Sequence, residues 1–425
     1  MPNDPGENPD IPLLAYVYHP RSFATLSLAN AARGVCRVVW VVDSSNEEMA
    51  SMQRLLRRFG ETVDIAGLSA DQAAKAIAAF GPDGILTLAD DNIRQTAELA
   101  AHLGLSFHTP ATALRLTDKY LQRAALADGG LIVPRSWTIA AEDFESTWEI
   151  LVREARFPAV LKPRRGEGSR DTLPVDDLAQ LRTLLEELRR GDGGSRDFVL
   201  EEYIGDAPTP LAGEGYAGYV SVESYVQDGH VTNLAVTGRM PPAYPFRETG
   251  FFIPSSLDAR LTSDVLDVAT RAVTSMTVTR GCFHTEIKLT SDGPVVIEVN
   301  GRIGGGVAEM LFAVTGVEFL KIAMRLALGV SVDVAAQPRT DGVAYLFYVQ
   351  APVEMCRVVA VDGLSDLERF EGVKEIVLNR GPGQNVHWKD GNHGHVFSVF
   401  GTTPDQDGVR RVDRAIKELV TIKGE

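Results

Sequence analysis

Residues 281–306 read GCFHTEIKLTSDGPVVIEVNGRIGGG, and the fold of the whole chain turns on how this stretch pairs with itself. Phe283, Ile287 and Leu289 alternate with His284, Glu286 and Lys288, the period-two pattern of a strand with one buried face. Asp292-Gly293 makes a turn. Val295, Ile297 and Val299 then alternate with Val296, Glu298 and Asn300, and Arg302 follows in the same phase. A turn centred on Asp292 sets Glu286 opposite Glu298 and His284 opposite Asn300. Two carboxylates facing each other across a sheet repel unless a cation lies between them. Two Glu and an Asn amide are hard oxygen donors suited to Mg²⁺, which takes few protein ligands and completes its shell with phosphate oxygens and water. The fork of Arg302 suits a phosphate or a carboxylate. Gly304-Gly305-Gly306 lets backbone N–H groups approach an anion. A solvated hairpin face with a chance cluster of charges is the competing reading of the same residues.

At 425 residues the chain is too long for one core and predicts about three domains. Its hydrophobic fraction, 44%, and charged fraction, 23%, are those of a soluble globular protein. A net charge of −15 argues against nucleic acid or an anionic membrane as the main partner. Cys36, Cys282 and Cys356 show neither metal-ligand spacing nor a disulfide framework, which points to a reducing, cytoplasmic compartment. Residues 1–10, acidic and proline-rich, are expected to be a disordered leader and lack the features of a signal peptide. The most apolar late stretch, 311–330, is interrupted by Glu318, Lys321 and Arg325 and is not a membrane span.

Taken in order, residues 13–103 alternate strands (13–18, 37–42, 62–65, 84–88) with helices (22–33, 47–59, 70–80 and one ending at 103). Apolar strands separated by helices imply a doubly wound parallel sheet. The first strand runs into YHPRSFATL, so there is no dinucleotide fingerprint. His19, Arg21, Asp90 and Asp91 stand at strand C-termini, where substrate groups collect, with loop-surface roles as the default. Asp118-Lys119 opens an amphipathic helix, on which Lys119 alone reads as solvated. Residues 158–175 form a strand ending near Lys162, a basic glycine turn (Arg164, Arg165, Gly166, Gly168, Ser169) and a returning strand. Such a turn folds over phosphates or is a basic surface turn. A helix spans 176–190, and the strand at 198–200 runs into Glu201-Glu202-Tyr203-Ile204. Glu223 breaks the apolar run YVSVESYV, the mark of an inward carboxylate with a partner. Residues 241–256 are a proline-rich aromatic loop whose Tyr244, Phe246, Phe251 and Phe252 make a pocket wall or a packed loop. A helix at 261–276 precedes the hairpin. Beyond 342 come strands at 343–350, 356–361, 373–377 and 396–402 and a helix at 405–419. His387, His393 and His395 lie in HWKDGNHGH, which reads as a polar loop in preference to a zinc site.

The order of these features resembles the ATP-grasp superfamily, and within it the L-amino-acid ligases, the bacilysin-type dipeptide-forming carboxylate–amine ligases. The likeness covers about residues 10–335, and FHTEIKL and VIEVNGRIGGG are its specific parts. It implies an α/β and α+β multidomain ATP-grasp fold: an N-terminal Rossmann-like domain with a parallel sheet (11–112), linking helices (113–132), a small lid subdomain (133–201), a catalytic subdomain with a large antiparallel sheet (202–335) and a C-terminal β-rich domain (336–425). By resemblance, Lys119 and Lys162 look like the lysines that hold ATP phosphates, and Gly166 to Ser169, with Gly168, like the mobile lid. Glu201, Glu202, Tyr203 and Ile204 look like the hinge that reads adenine and ribose. Glu286 and Glu298 look like the Mg²⁺ bridges, Asn300 like a further ligand, and Arg302 like the group that stabilises an acyl phosphate. Glu223, His284, Gly304, Gly305 and Gly306 fall on the amino-acid side. The cofactors implied are ATP and two Mg²⁺, with Mn²⁺ as the substitute ion. The activity implied is ADP-forming ligation of an amino-acid carboxylate to the amine of a second amino acid or peptide in a cytoplasmic enzyme, often a homodimer. A biotin-dependent-type carboxylase subunit and a non-catalytic nucleotide-binding regulatory module are the alternatives. The turn RRGEGSRDTL carries more charge than the family's lid.

Overall fold

The computed structural model describes residues 11–45, 47–142, 144–190 and 196–425; the leader expected at 1–10 lies outside them. Apolar runs at 13–17, 37–42 and 84–86 build three strands of the first sheet, as burial on both faces requires, and the fourth, ETVD at 61–64, is a short edge strand with one buried residue. Leu13–Val17 (β1), Arg37–Val42 (β2), Glu61–Asp64 (β3) and Gly84–Leu86 (β4) are parallel in the order β3-β2-β1-β4. Helices Thr25–Ala32 (α1), Glu47–Leu56 (α2), Ala70–Ala78 (α3) and Ile93–Leu103 (α4) alternate with the strands. The strand order reverses about β1, which opens a crevice at the strand C-termini. A 3₁₀ turn, Asp90–Asn92, sits there, after β4.

Helices Pro110–Thr117 (α5) and Lys119–Asp128 (α6) meet at Asp118, whose carboxylate caps α6 by accepting the Leu121 N–H at 3.2 Å. Next come Ser136–Ile139 (β5), Phe144–Glu154 (α7), Ala159–Pro163 (β6), Leu173–Val175 (β7), Leu178–Arg190 (α8) and Phe198–Glu202 (β8). The four strands form an antiparallel sheet, β5-β8-β6-β7, and α7 and α8 bury Leu151, Leu181 and Leu185 against its Ile139, Leu161 and Phe198.

The third sheet carries the site. Its strands are Tyr219–Gln227 (β9), His230–Arg239 (β10), Gly250–Ile253 (β11), Gly281–Thr290 (β12) and Gly293–Asn300 (β13), with Ala259–Ser275 (α9) between β11 and β12. Val307–Thr315 (α10) and Phe319–Ala327 (α11) follow the hairpin. The chain ends with Val343–Gln350 (β14), Val358–Asp362 (β15), Leu364–Leu367 (α12), Val373–Leu378 (β16), His395–Thr403 (β17), Gln406–Leu419 (α13) and Thr421–Gly424 (β18). The antiparallel order is β13-β12-β9-β10-β11-β14-β17-β16, with β15 and β18 paired separately. The C-terminal strands β14, β16 and β17 therefore continue the hairpin's own sheet. The link is β11, inside the stretch expected to be a loop. It is only four residues long, and its Phe252 ring fills the space over Gly238, where a Cβ would stand 2.3 Å from the ring. Among the described residues, no helix is long and apolar enough to cross a membrane.

Strand β13 lies at the sheet edge, and α6 closes it. Gln122 donates from Nε2 to the Val299 carbonyl at 2.9 Å and accepts the Val299 N–H at 2.8 Å. Arg123 donates to the Ile297 carbonyl. Two side chains thus satisfy backbone groups that an open edge would expose, and they fix α6, with Lys119 at its start, over the hairpin.

Candidate active site

The hairpin pairs Glu286 with Glu298 and His284 with Asn300, as the alternation requires, by a route the alternation did not show. The turn is the two residues Ser291-Asp292, since Thr290 faces Gly293, and Ile297 is an extra residue between the rungs Ile287–Val296 and Glu286–Glu298. This bulge changes the phase. Val296 is fully buried and packs with Val299 and Phe283, while Ile297 turns to the cavity wall. The expected alternation of Val295, Ile297 and Val299 is corrected accordingly.

One cavity of about 530 Å³ is lined by the hairpin, the glycine turn, the end of β8 and the aromatic loop. Lys119 Nζ lies 2.8 Å from Glu298 Oε1 and donates to the Gly166 carbonyl at 2.8 Å. Burial disfavours its charge, yet Glu298 holds its pKa above the ordinary lysine value. Lys162, at the end of β6, is 2.7 Å from Glu201 Oε2, and burial pulls its pKa down against the opposing pull of Glu201. Glu201 also takes the Arg123 fork at 3.0 Å on each oxygen. Burial raises its pKa, and Arg123 and Lys162 override this to bring it to about 2. The Glu201 carboxylate is therefore committed to two cations, and of the expected hinge pair Glu202 is the half-buried one, 3.9 Å from Arg135. Glu202, Tyr203 and Ile204 border the cavity, as do Gly168 and Ser169.

Arg302 is held from two sides. Its Nε donates to Asp90 Oδ2 at 2.7 Å, and Glu167 of the glycine turn lies 3.7 Å from its Nη2. Burial lowers the arginine pKa and Asp90 more than restores it. Burial and then Asp90 push the Glu167 pKa up to about 8. Asp90, for which a loop-surface role was the default, thus belongs to the site, and His19 stays at the strand ends, 3.8 Å from Asp91.

Behind the hairpin lies a buried polar chain. Glu223 is fully buried and accepts from Ser221 at 2.8 Å, Thr237 at 2.9 Å and His284 Nδ1 at 2.8 Å. Expected to face the amino-acid pocket or the metals, it does not line the cavity and reaches its wall through His284. Burial lowers the His284 pKa, and Glu223 raises it to about 9. With Nδ1–H donating to Glu223, His284 Nε2 meets Arg239 Nη2 at 3.0 Å and Glu286 at 3.6 Å. Glu286 is raised by burial and brought to about 2 first by its bond to His284. Arg239, at the end of β10, pairs with Glu248 and stacks over Tyr219 and Phe251, 5.6 and 5.0 Å from the ring centroids. Sequence reasoning missed Arg239, Glu248 and Asn392. Glu223 was exposed by interrupting an apolar run, whereas Arg239 ends its strand, and a charge closing the run LAVTGR was its available signal.

The glycine run has mixed duties. Gly305 lines the cavity. A Cβ on Gly304 would stand 2.5 Å from His284 Nδ1, so that residue is small to let the imidazole pass. Gly306 begins α10 at φ 70°, a left-handed conformation that favours glycine. Of the aromatic loop, Phe246 and Phe251 line the cavity, Phe252 is in the core and Tyr244 is exposed. His387 Nδ1 accepts the Lys389 N–H at 3.0 Å, His395 lies 2.8 Å from the Asn392 carbonyl through Nδ1 and 2.7 Å from Asn379 Nδ2 through Nε2, and the His393 ring packs on Gly168, where a Cβ would stand 3.1 Å from its Nε2.

Among the described residues no group of three or more His, Cys, Asp or Glu is placed to hold a metal. The donors at the hairpin are two opposed carboxylates and Asn300, whose Nδ2 donates to the His284 carbonyl at 3.3 Å and leaves its oxygen as the coordinating atom. That set fits a hard cation that draws the rest of its shell from phosphate and water.

The arrangement of sheets is shared with a known class. Residues 155–310 match the family model of the ATP-grasp domain, and the chain carries that domain within an ATP-grasp fold. Curated relatives include alanine–anticapsin ligase of Bacillus subtilis (strain 168), 26% identical over 55% of this chain and 51% of its own, and carnosine synthase 1 of Homo sapiens, 26% identical over 61% and 32%. The chain thus spans about half the length of the first and a third of the second. Among solved structures, the L-amino acid ligase from Bacillus licheniformis superposes over 97% of this chain and 99% of its own with a TM-score of 0.76 at 19% identity, a likeness of fold.

Proposed function

We propose that this protein is an ADP-forming carboxylate–amine ligase that activates an amino-acid carboxylate as an acyl phosphate and joins it to the amine of a second amino acid or peptide. The observation that carries this reading is the Glu286–Glu298 rung with Lys119 on one side and Arg302 on the other, facing one cavity. The names of the curated relatives support it.

A carboxylate oxygen of the first substrate attacks the γ-phosphorus of ATP, the bond to the β–γ bridging oxygen breaks, and ADP leaves. The amine of the second substrate then attacks the acyl carbon, the C–O bond to phosphate breaks, and the ammonium proton is lost to solvent. The protein's contribution is positioning and charge compensation. Lys119 and Lys162 hold phosphate oxygens, and Glu201, through its grip on Lys162, sets where that ammonium points. Gly168 and Ser169 cover the phosphates and exclude water from a hydrolysable intermediate. Glu202, Tyr203 and Ile204 border adenine and ribose. Glu286, Glu298 and Asn300 would hold Mg²⁺, which would supply neutralisation of phosphate charge. Arg302, held straight by Asp90, compensates charge on the acyl phosphate and on the tetrahedral state. His284 and Gly305 lie on the amino-acid side, with Phe246 and Phe251 as its apolar wall.

The test is ADP release across a panel of amino-acid pairs. Release that requires both a carboxylate and a free amine is expected, and Glu298→Gln or Arg302→Ala should abolish it. Near-normal turnover in either variant, or release indifferent to the amine, would overturn the assignment.

A further inference from the structure

The loop 387–395 takes no part in the chemistry above, yet it touches the glycine turn and the substrate wall at once. The Asn392 N–H donates to the Gly168 carbonyl at 2.9 Å. Its side-chain Nδ2 donates to Glu248 Oε2 at 2.8 Å, and its Oδ1 accepts the Glu248 N–H at 2.8 Å. Its own carbonyl faces His395 Nδ1. All four polar groups of one side chain and peptide are therefore used, three of them on segments more than a hundred residues away in sequence. The contact is close: a Cβ on Gly391 would stand 2.2 Å from the Gly168 carbonyl, and Gly391 adopts φ 62°, ψ −137°, conformational space that only glycine enters easily. From Glu248 the chain of contacts continues through Arg239 to His284 and so to Glu286.

We propose that Asn392 is a positioning residue that latches the glycine turn to the substrate wall, so that the cavity closes only over a correctly placed Glu248. This rests on the ligase reading. Residues 166–170 form one wall of the cavity, so this wall moves for bulky substrates to enter and leave. The turn has two further anchors, where Lys119 donates to the Gly166 carbonyl and where Glu167 meets Arg302. A wall held only there still binds ATP but admits water to the acyl phosphate. The latch therefore acts on the fraction of phosphoryl transfers that end in an amide bond.

Two readouts test it on the full chain. Hydrogen exchange of residues 166–172 in the protein alone reports the latch whatever the reaction. The ratio of ligated product to phosphate released, at saturating substrates, reports coupling. In Asn392→Ala, exchange is expected to speed about tenfold and the ratio to fall about tenfold. In N392D two carboxylates face each other and exchange is at least as fast. In N392D/E248Q the amide and carboxylate trade places, both bonds re-form and exchange returns towards wild type. Unchanged exchange in Asn392→Ala, or a double variant no slower to exchange than N392D, overturns the latch. Phosphate release by the wild type that ignores the amine overturns the ligase reading instead, and the exchange experiment still decides the latch.

Discussion

Asp90 Oδ2 accepts the Arg302 Nε–H at 2.7 Å across 212 positions of sequence. The carboxylate comes from the C-terminal edge of the parallel sheet and the arginine from the end of the antiparallel hairpin, so a single bond aligns two sheets at the reacting centre. Both side chains keep a little exposure, 13% for Asp90 and 16% for Arg302. The pair is thus neither a free surface bridge nor a sealed ion pair.

Asp90→Ala leaves Arg302 with Glu167 as its remaining carboxylate, at longer range. Breaking a buried pair costs about 3–5 kcal/mol, and water access here reduces that. The expected result is a fall in kcat/KM for the two-substrate reaction of about 100-fold, or about 2.7 kcal/mol, with far-ultraviolet circular dichroism unchanged. Steady-state kinetics decides it, and a variant within threefold of wild type would show that Arg302 needs no such orientation.

Glu201 predicts the acid limb of stability. Its pKa in the fold is about 2, below the ordinary carboxylate value, so its contribution is complete above about pH 4.5 and is lost as pH falls towards 2. The size is about 3 kcal/mol. Urea midpoints measured from pH 6 down to pH 3 should decline in the wild type. Glu201→Gln should start lower and decline less, and parallel curves would show that the Arg123–Glu201–Lys162 cluster adds nothing there.

Glu167 predicts the opposite sign at alkaline pH. Its pKa of about 8 lies above the ordinary value, so the folded protein holds a proton that an unfolded chain has already lost. The docked turn is favoured most in the acid range and weakens as pH rises from the ordinary glutamate value through about 8, as Glu167 loses its proton beside the Asp90 side chain. Tryptic cleavage after Arg164, Arg165 and Arg170 should therefore speed up between pH 7 and pH 9 more in the wild type than in Glu167→Gln. Equal acceleration in both proteins would remove Glu167 from the account.

The opposed carboxylates were legible because the hairpin is local. Glu286 and Glu298 are joined by a short turn, and a period of two assigns faces without knowledge of the rest of the molecule. Even there the bulge at Ile297 was hidden, since an extra residue changes burial and not composition. The apolar strands from 13 to 88 were legible for a similar reason: each run has one way to be buried on both faces.

What the sequence by itself determined was the alternating strands and helices of residues 13–103 and the charged groups carried on one hairpin, because both follow from the geometry of neighbours along the chain. What only the tertiary structure decided was which distant groups meet them. Lys119 reaches Glu298 because Gln122 and Arg123 dock α6 on an open strand edge. Asp90 reaches Arg302 because α11 packs against both β4 of the parallel sheet and β12 of the hairpin. Asn392 reaches Glu248 because β11, four residues long, joins the C-terminal strands to the hairpin's sheet. Each of these meetings depends on how whole apolar surfaces are buried against one another, and that is a property of the assembled core which no short window of sequence contains.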